Sequence, residues 1–154
     1  MADGSSESSL EAGFIELASI VRALHGDWSA AAGGGYDDWS CKDLLAHLSS
    51  TEASLARIVV SATEPPRPGA EPFDADRWNS SQIRKRKDSG EQDLLNEFDL
   101  GTTRLVEALA DSDLKKPVTI GEYAGRPLGD AMAAMLDHQR HHLDDLREAL
   151  HRHR

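Results

Sequence analysis

Apolar residues recur at three- and four-residue intervals in four long stretches of this chain, separated by segments bearing glycine or proline. A helix with one apolar stripe must lay that stripe against other helices. Four such stretches therefore predict an all-α chain folded as an antiparallel four-helix bundle. Phe14, Leu17, Ala18, Val21 and Leu24 predict a first helix over residues 9–25, ended at Gly26. Leu44, Leu48, Thr51, Leu55, Ile58 and Ala62 share one face of a second helix, which reaches about residue 63. Ser40 is its N-cap, and Asp43 three residues later completes a variant capping box. Pro65, Pro66 and Pro68 stop it.

A shorter helical stretch, 74–87, has Trp78 and Ile83 as apolar anchors. Ser89-Gly90 breaks it from the next helix, 91–110, which turns Leu94, Leu95, Phe98, Leu105, Val106 and Leu109 inward. Residues 111–127, with Pro117, Gly121, Gly125 and Pro127, form a connector in which Val118-Thr119-Ile120 is a candidate for extended backbone. The last helix runs over 128–151. No pair of segments has the alternation of a β-hairpin.

The 154 residues predict one domain, 10–154, behind a polar, acidic tail, 1–9, expected to be disordered. No apolar run approaches the roughly 20 residues needed to span a bilayer, and no basic-then-apolar leader opens the chain. The single cysteine, Cys41, excludes an internal disulfide, so the expected setting is cytoplasmic. A formal net charge of −10 repels phosphate backbones and argues against nucleic-acid binding. The basic run Arg84-Lys85-Arg86-Lys87 lies among Asp74, Asp76, Asp88 and Glu91, and reads as a solvated helix surface.

Histidine carries the chemistry. His138 and His142 are four residues apart, one turn above each other on the last helix. They lie on the flank of the stripe centred on Leu128, Met132, Met135, Gln139 and Leu146. His47 lies on the equivalent flank of the second helix. Flanks of facing helices are where bundles build metal sites, so these three imidazoles are the candidate ligands of one divalent ion. His141 points away from the stripe and reads as exposed. His25 is a helix-end residue, and His151 and His153 are tail residues. Cys41 reads as a structural thiol and Trp39 as a staple at the entry to the second helix.

The segment from Asp38 to Leu48, Asp-Trp-Ser-Cys-Lys-Asp-Leu-Leu-Ala-His-Leu, resembles the start of the second helix in the DinB-like superfamily. It is most similar to the branch containing the N-terminal domain of mycothiol-dependent maleylpyruvate isomerase. Asp74-Ala75-Asp76-Arg77-Trp78-Asn79 and His138-Gln139-Arg140-His141-His142 resemble that branch too, in the same order. The resemblance implies a four-helix bundle holding a metal through one ligand from the second helix and two from the last. By position these are His47, His138 and His142. Some relatives have a carboxylate where this chain has His138, so the ligand set resembles the all-histidine members. No counterpart of the isomerase's second domain is expected.

Neutral imidazoles suit Zn or Ni, the expected metals. Three protein ligands leave positions for water or substrate. Asp43, Glu52 and Asp137 are the candidates for contacts to the ligands from behind. Trp78 and Asn79 are candidates for contact with a ligand at the cleft mouth, although for Trp78 a place in the core is the plainer reading. The resemblance implies a thiol transferase or isomerase that uses mycothiol or bacillithiol on a small electrophile, and bundles of this type often pair through helix faces, which makes a homodimer the candidate assembly. The alternatives are a metal-dependent hydrolase of a reactive small molecule and a non-enzymatic, metal-binding stress-response module.

Overall fold

The computed structural model describes residues 4–36, 38–66 and 72–152. His153, Pro68 and the first three residues of the expected tail lie outside them. Among the described residues five helices follow one another: α1 (Gly4–Arg22), α2 (Cys41–Ser61), α3 (Ala75–Lys85), α4 (Glu91–Ala110) and α5 (Leu128–Arg152). The first starts at Gly4, so residues 4–9, expected to be a tail, are helical. Glu7 in the first turn complements the helix dipole there. Ser89-Gly90 is a true break, since α3 caps at Arg86 and α4 starts afresh behind Gly90.

The bundle is present, and its neighbours pair in two ways. α2 packs on α4 and α5, and α1 packs on the same two from the other side. Contacts between α2 and α4 climb both chains together: Lys42 Nζ donates to the Lys87 carbonyl, Ser49 Oγ donates to that of Leu94, and Thr102 Oγ1 is hydrogen-bonded to the Glu52 carboxyl group. That pair is parallel. α1 and α5 are also parallel, with Gly13 against Leu136 and Gly26 against Leu150. The α2–α5 and α1–α4 pairs are antiparallel; Arg22 of α1 meets Asp99 of α4 at 2.5 Å. Parallel neighbours need a long crossover. The segment 62–90, which carries α3, supplies it between α2 and α4.

Phe14, Phe98, Leu44, Leu48, Leu55, Leu105, Met132 and Leu146 are among the fully buried side chains of the core. Each such side chain contributes about 1.5–3 kcal/mol relative to exposure. α3 stands outside this core, touches α2 and has no fully buried residue. Ile83 packs on the core from α3. Trp78 does not: it is half-buried beside exposed Phe73, ring centroids 6.2 Å apart, which corrects the reading of it as a core anchor. Arg86 also departs from a purely solvated surface. It forms a two-pronged ion pair with Glu97, at 2.8 and 2.7 Å, that ties the end of α3 to α4, while Arg84, Lys85 and Lys87 are exposed.

Two loops shape the site. Backbone bonds from Ala32 to Trp39, Cys41 to Ala30 and Lys42 to Trp28 fold residues 23–40 back onto the start of α2. The connector before α5 makes a single bridge, Pro117 to Pro127, and not a strand. It is pinned to the end of α2, where Thr119 donates its N–H to Ser61 Oγ at 3.0 Å and its hydroxyl to the Ser61 carbonyl at 2.9 Å. Gly121 and Gly125 take φ of 84° and 92°, the left-handed region that favours glycine, and turn the loop toward α2. No helix among the described residues is long and apolar enough to cross a membrane.

Candidate metal centre

The second turn of α2 positions His47. Ser40 Oγ accepts from the Asp43 N–H at 3.1 Å, and Asp43 Oδ2 accepts from the Ser40 N–H at 3.0 Å. This capping box sets the start of α2, and His47 follows one turn after Asp43, where it is 3% exposed. Across the antiparallel seam α5 presents His138 and His142, both half-buried. The ring centroids lie 5.4 Å apart for His47 and His138, 4.9 Å for His47 and His142, and 4.4 Å for His138 and His142. One ligand nitrogen from each residue falls within 4.8 Å of the other two. Nitrogens each about 2 Å from one ion stand roughly 3–4 Å apart, so the trio is gathered closely enough for small ring rotations to bring all three onto one ion.

Burial sets the protonation of the trio. It pushes the His47 imidazole down to about 3, helped by the nearby His142 and His138. His142 is pushed down to about 4, first by burial and then by His138 and His141, against the pull of Asp145. His138 is lowered by burial, opposed by its bond to Gln139 and by Glu122. The three rings are therefore neutral at pH 7, with lone pairs available.

Two of the rings are held from behind. Tyr36 Oη lies 2.7 Å from Nδ1 of His142 and donates its own proton to Asp145. With that proton spent, the phenol oxygen accepts from His142 Nδ1–H, which leaves Nε2 as the free lone pair. Burial and the Asp145 carboxylate raise the phenol's pKa, so it remains a donor. His138 Nδ1 lies 3.3 Å from Oε1 of Gln139. His47 packs against the ring of Trp39, which in turn stacks on Tyr36. Its Nδ1 is buried with no hydrogen-bond partner among the described residues. Such an orphan costs about 1–3 kcal/mol, and a cation accepted at that nitrogen would remove the cost. The donor set and this orphan both fit a divalent ion.

The other expected residues divide. Glu52 is fully buried and reaches His138 through Gln139. Asp43 commits Oδ2 to the helix cap. Asp137 has a side chain 83% exposed, 4.0 Å from Arg140, and faces solvent. Cys41 is buried near the Ala31 carbonyl, and burial raises its thiol pKa, which suits a structural role. His141 is 73% exposed.

A cavity of about 620 Å³ opens beside the trio, with His47 and His138 in its wall. α2 lines it with His47, Thr51, Ser54 and Ile58, one stripe at helical spacing, and α5 with Ala131, Met135 and His138. Trp78 and Asn79 of α3 and Tyr123 of the connector close the sides. Tyr36, Asp145 and the connector wall were missed in the sequence. Asp145 could have been found three residues beyond His142; nothing in the glycine-rich loop marks Tyr36.

A bundle with three histidines gathered from two facing helices, beside an open cleft, is a DinB-like fold with a candidate metal centre. The family model for the mycothiol maleylpyruvate isomerase N-terminal domain matches residues 10–149, and the chain belongs to this family. Comparison with curated proteins and with solved structures gave no match.

Proposed function

We propose that this chain is a metal-dependent thiol transferase or isomerase, acting in the cytoplasm on a small electrophile with a low-molecular-weight thiol. His47, His138 and His142 hold the divalent ion, Zn or Ni by the chemistry of neutral imidazoles. The observation that carries the proposal is the place of His47 and His138 in the cavity wall, which leaves the trio open to a ligand. A structural ion would be sealed by a fourth protein ligand. A bound divalent cation supplies Lewis acidity, lowering the pKa of a thiol or polarising a carbonyl.

The chain's own residues do the rest. Apolar Ile58, Phe73, Trp78 and Met135 exclude water from the cavity. Asn79, Thr51 and Ser54 offer hydrogen bonds that orient a bound molecule, and Trp78 offers a ring face. The family's name motivates mycothiol as the thiol, with bacillithiol as its chemical counterpart. The test incubates metal-loaded and chelator-stripped protein with each thiol and a generic electrophile such as monobromobimane. Conjugate formation that depends on both the metal and one of the thiols is expected. Rates equal to the stripped control with every thiol overturn the proposal, and turnover without thiol replaces it with a hydrolase.

A further inference from the structure

Behind His138 runs a line of buried polar groups that reaches the far side of α2. Gln139 is fully buried on α5. Its Nε2 donates to the Leu48 carbonyl at 3.0 Å and to Glu52 Oε1 at 3.1 Å, which uses both amide hydrogens. Its Oε1 is thereby turned toward His138 Nδ1. A flipped amide would set its oxygen against the Leu48 carbonyl, so the orientation has one answer.

Glu52 is buried with no cation among its partners in the described residues. Thr102 Oγ1 lies 2.5 Å from Glu52 Oε2 and 3.2 Å from the Phe98 carbonyl. The hydroxyl has one hydrogen and two acceptors to serve. A proton on Glu52 Oε2 resolves this: Glu52 donates to Thr102, Thr102 donates to Phe98, and Glu52 Oε1 still accepts from Gln139. Every donor then has an acceptor, and no unpaired charge is buried. Burial pushes the Glu52 pKa up to about 7, in the same direction.

We propose that Glu52 and Gln139 are positioning residues that hold His138 as the Nδ1–H tautomer, so that its Nε2 carries the free lone pair. Glu52 acts as a neutral acid that orients the amide, and the amide orients the imidazole. This inference rests on the three-imidazole reading for its purpose, while the tautomer itself is measurable without metal.

The test is a long-range proton–nitrogen correlation spectrum of metal-free protein labelled with ¹⁵N-histidine, at neutral pH. His138 is expected to carry its proton on Nδ1. E52Q, isosteric with the neutral acid, is expected to keep that tautomer and to bind Zn(II) within about threefold of wild type. Gln139→Met is expected to release His138 to the Nε2–H form that unconstrained imidazole favours, and to weaken Zn(II) binding by about 10–100-fold. An Nε2–H tautomer in the wild-type spectrum overturns the inference by itself, whether or not Gln139→Met folds. So does a Gln139→Met protein that keeps both tautomer and affinity. A wild-type chain that binds no Zn(II) while Gln139 still sets the tautomer overturns the metal reading and supports the positioning.

Discussion

The hydroxyl of Tyr36 meets Nδ1 of His142 at 2.7 Å, joining a loop before α2 to a ring 106 residues later on α5. Because the phenol donates its hydrogen bond to Asp145, its oxygen is left to accept from His142, and the pair fixes which nitrogen of His142 is free. Tyr36→Phe removes the acceptor and is expected to weaken Zn(II) affinity by about 10–100-fold, with the fold intact by circular dichroism. Competition with a chromophoric chelator measures it. Asp137→Ala, at an exposed position, serves as the control and is expected to leave affinity unchanged. Unaltered affinity in Tyr36→Phe would show that the phenol does not orient the ring.

Gly101 of α4 packs directly against the backbone of α2. A Cβ there would lie 2.9 Å from the Ala53 nitrogen and 3.0 Å from the Glu52 carbonyl oxygen, backbone atoms that cannot rotate away. Gly101→Ala gains about 1 kcal/mol of helix propensity, but forcing the helices apart costs typically about 1–3 kcal/mol. The expected net effect is a lower melting temperature. A higher one would mean that the two helices can separate freely at this crossing.

Glu52 makes stability depend on pH. Its folded pKa, about 7, lies above the ordinary 4.5, so the folded state keeps a proton that the unfolded chain has lost. Between these values the native state binds more protons, and its stability falls as pH rises. The full penalty, on the order of 3 kcal/mol, is present above about pH 7. E52Q cannot ionise. Metal-free E52Q is expected to melt above wild type at pH 8 and close to it at pH 5, with the histidine contributions common to both proteins. An equal difference at the two pH values would place the Glu52 pKa outside this window.

The bundle was legible because helical period, glycine and proline are local signals, and the histidines because i, i+4 spacing is set by helix geometry. Directions were less so: parallel α2 and α4 follow from the crossover through α3, and no local pattern distinguishes that crossover from a short hairpin. Asp43 and Asp137 fit the site by distance along the helix, yet one commits an oxygen to the cap and the other faces solvent. The difference lies in the wheel and the cap, not in residue type. Gln139 read as a member of the apolar stripe, and its role depends on Glu52 and Leu48, which only packing brings near. Trp78 stands outside the core because it faces Phe73 and the cavity, while Ile83, farther along the same short helix, reaches the core.

The central claim is that three imidazoles from two helices hold one cation. Elemental analysis of protein purified without a histidine tag, alongside His47→Ala, tests it most directly. The expected result is close to one divalent transition metal ion per wild-type chain and a large loss in His47→Ala. A metal-free wild-type chain that takes up no Zn(II) or Ni(II), or a His47→Ala protein that retains the full complement, would contradict it.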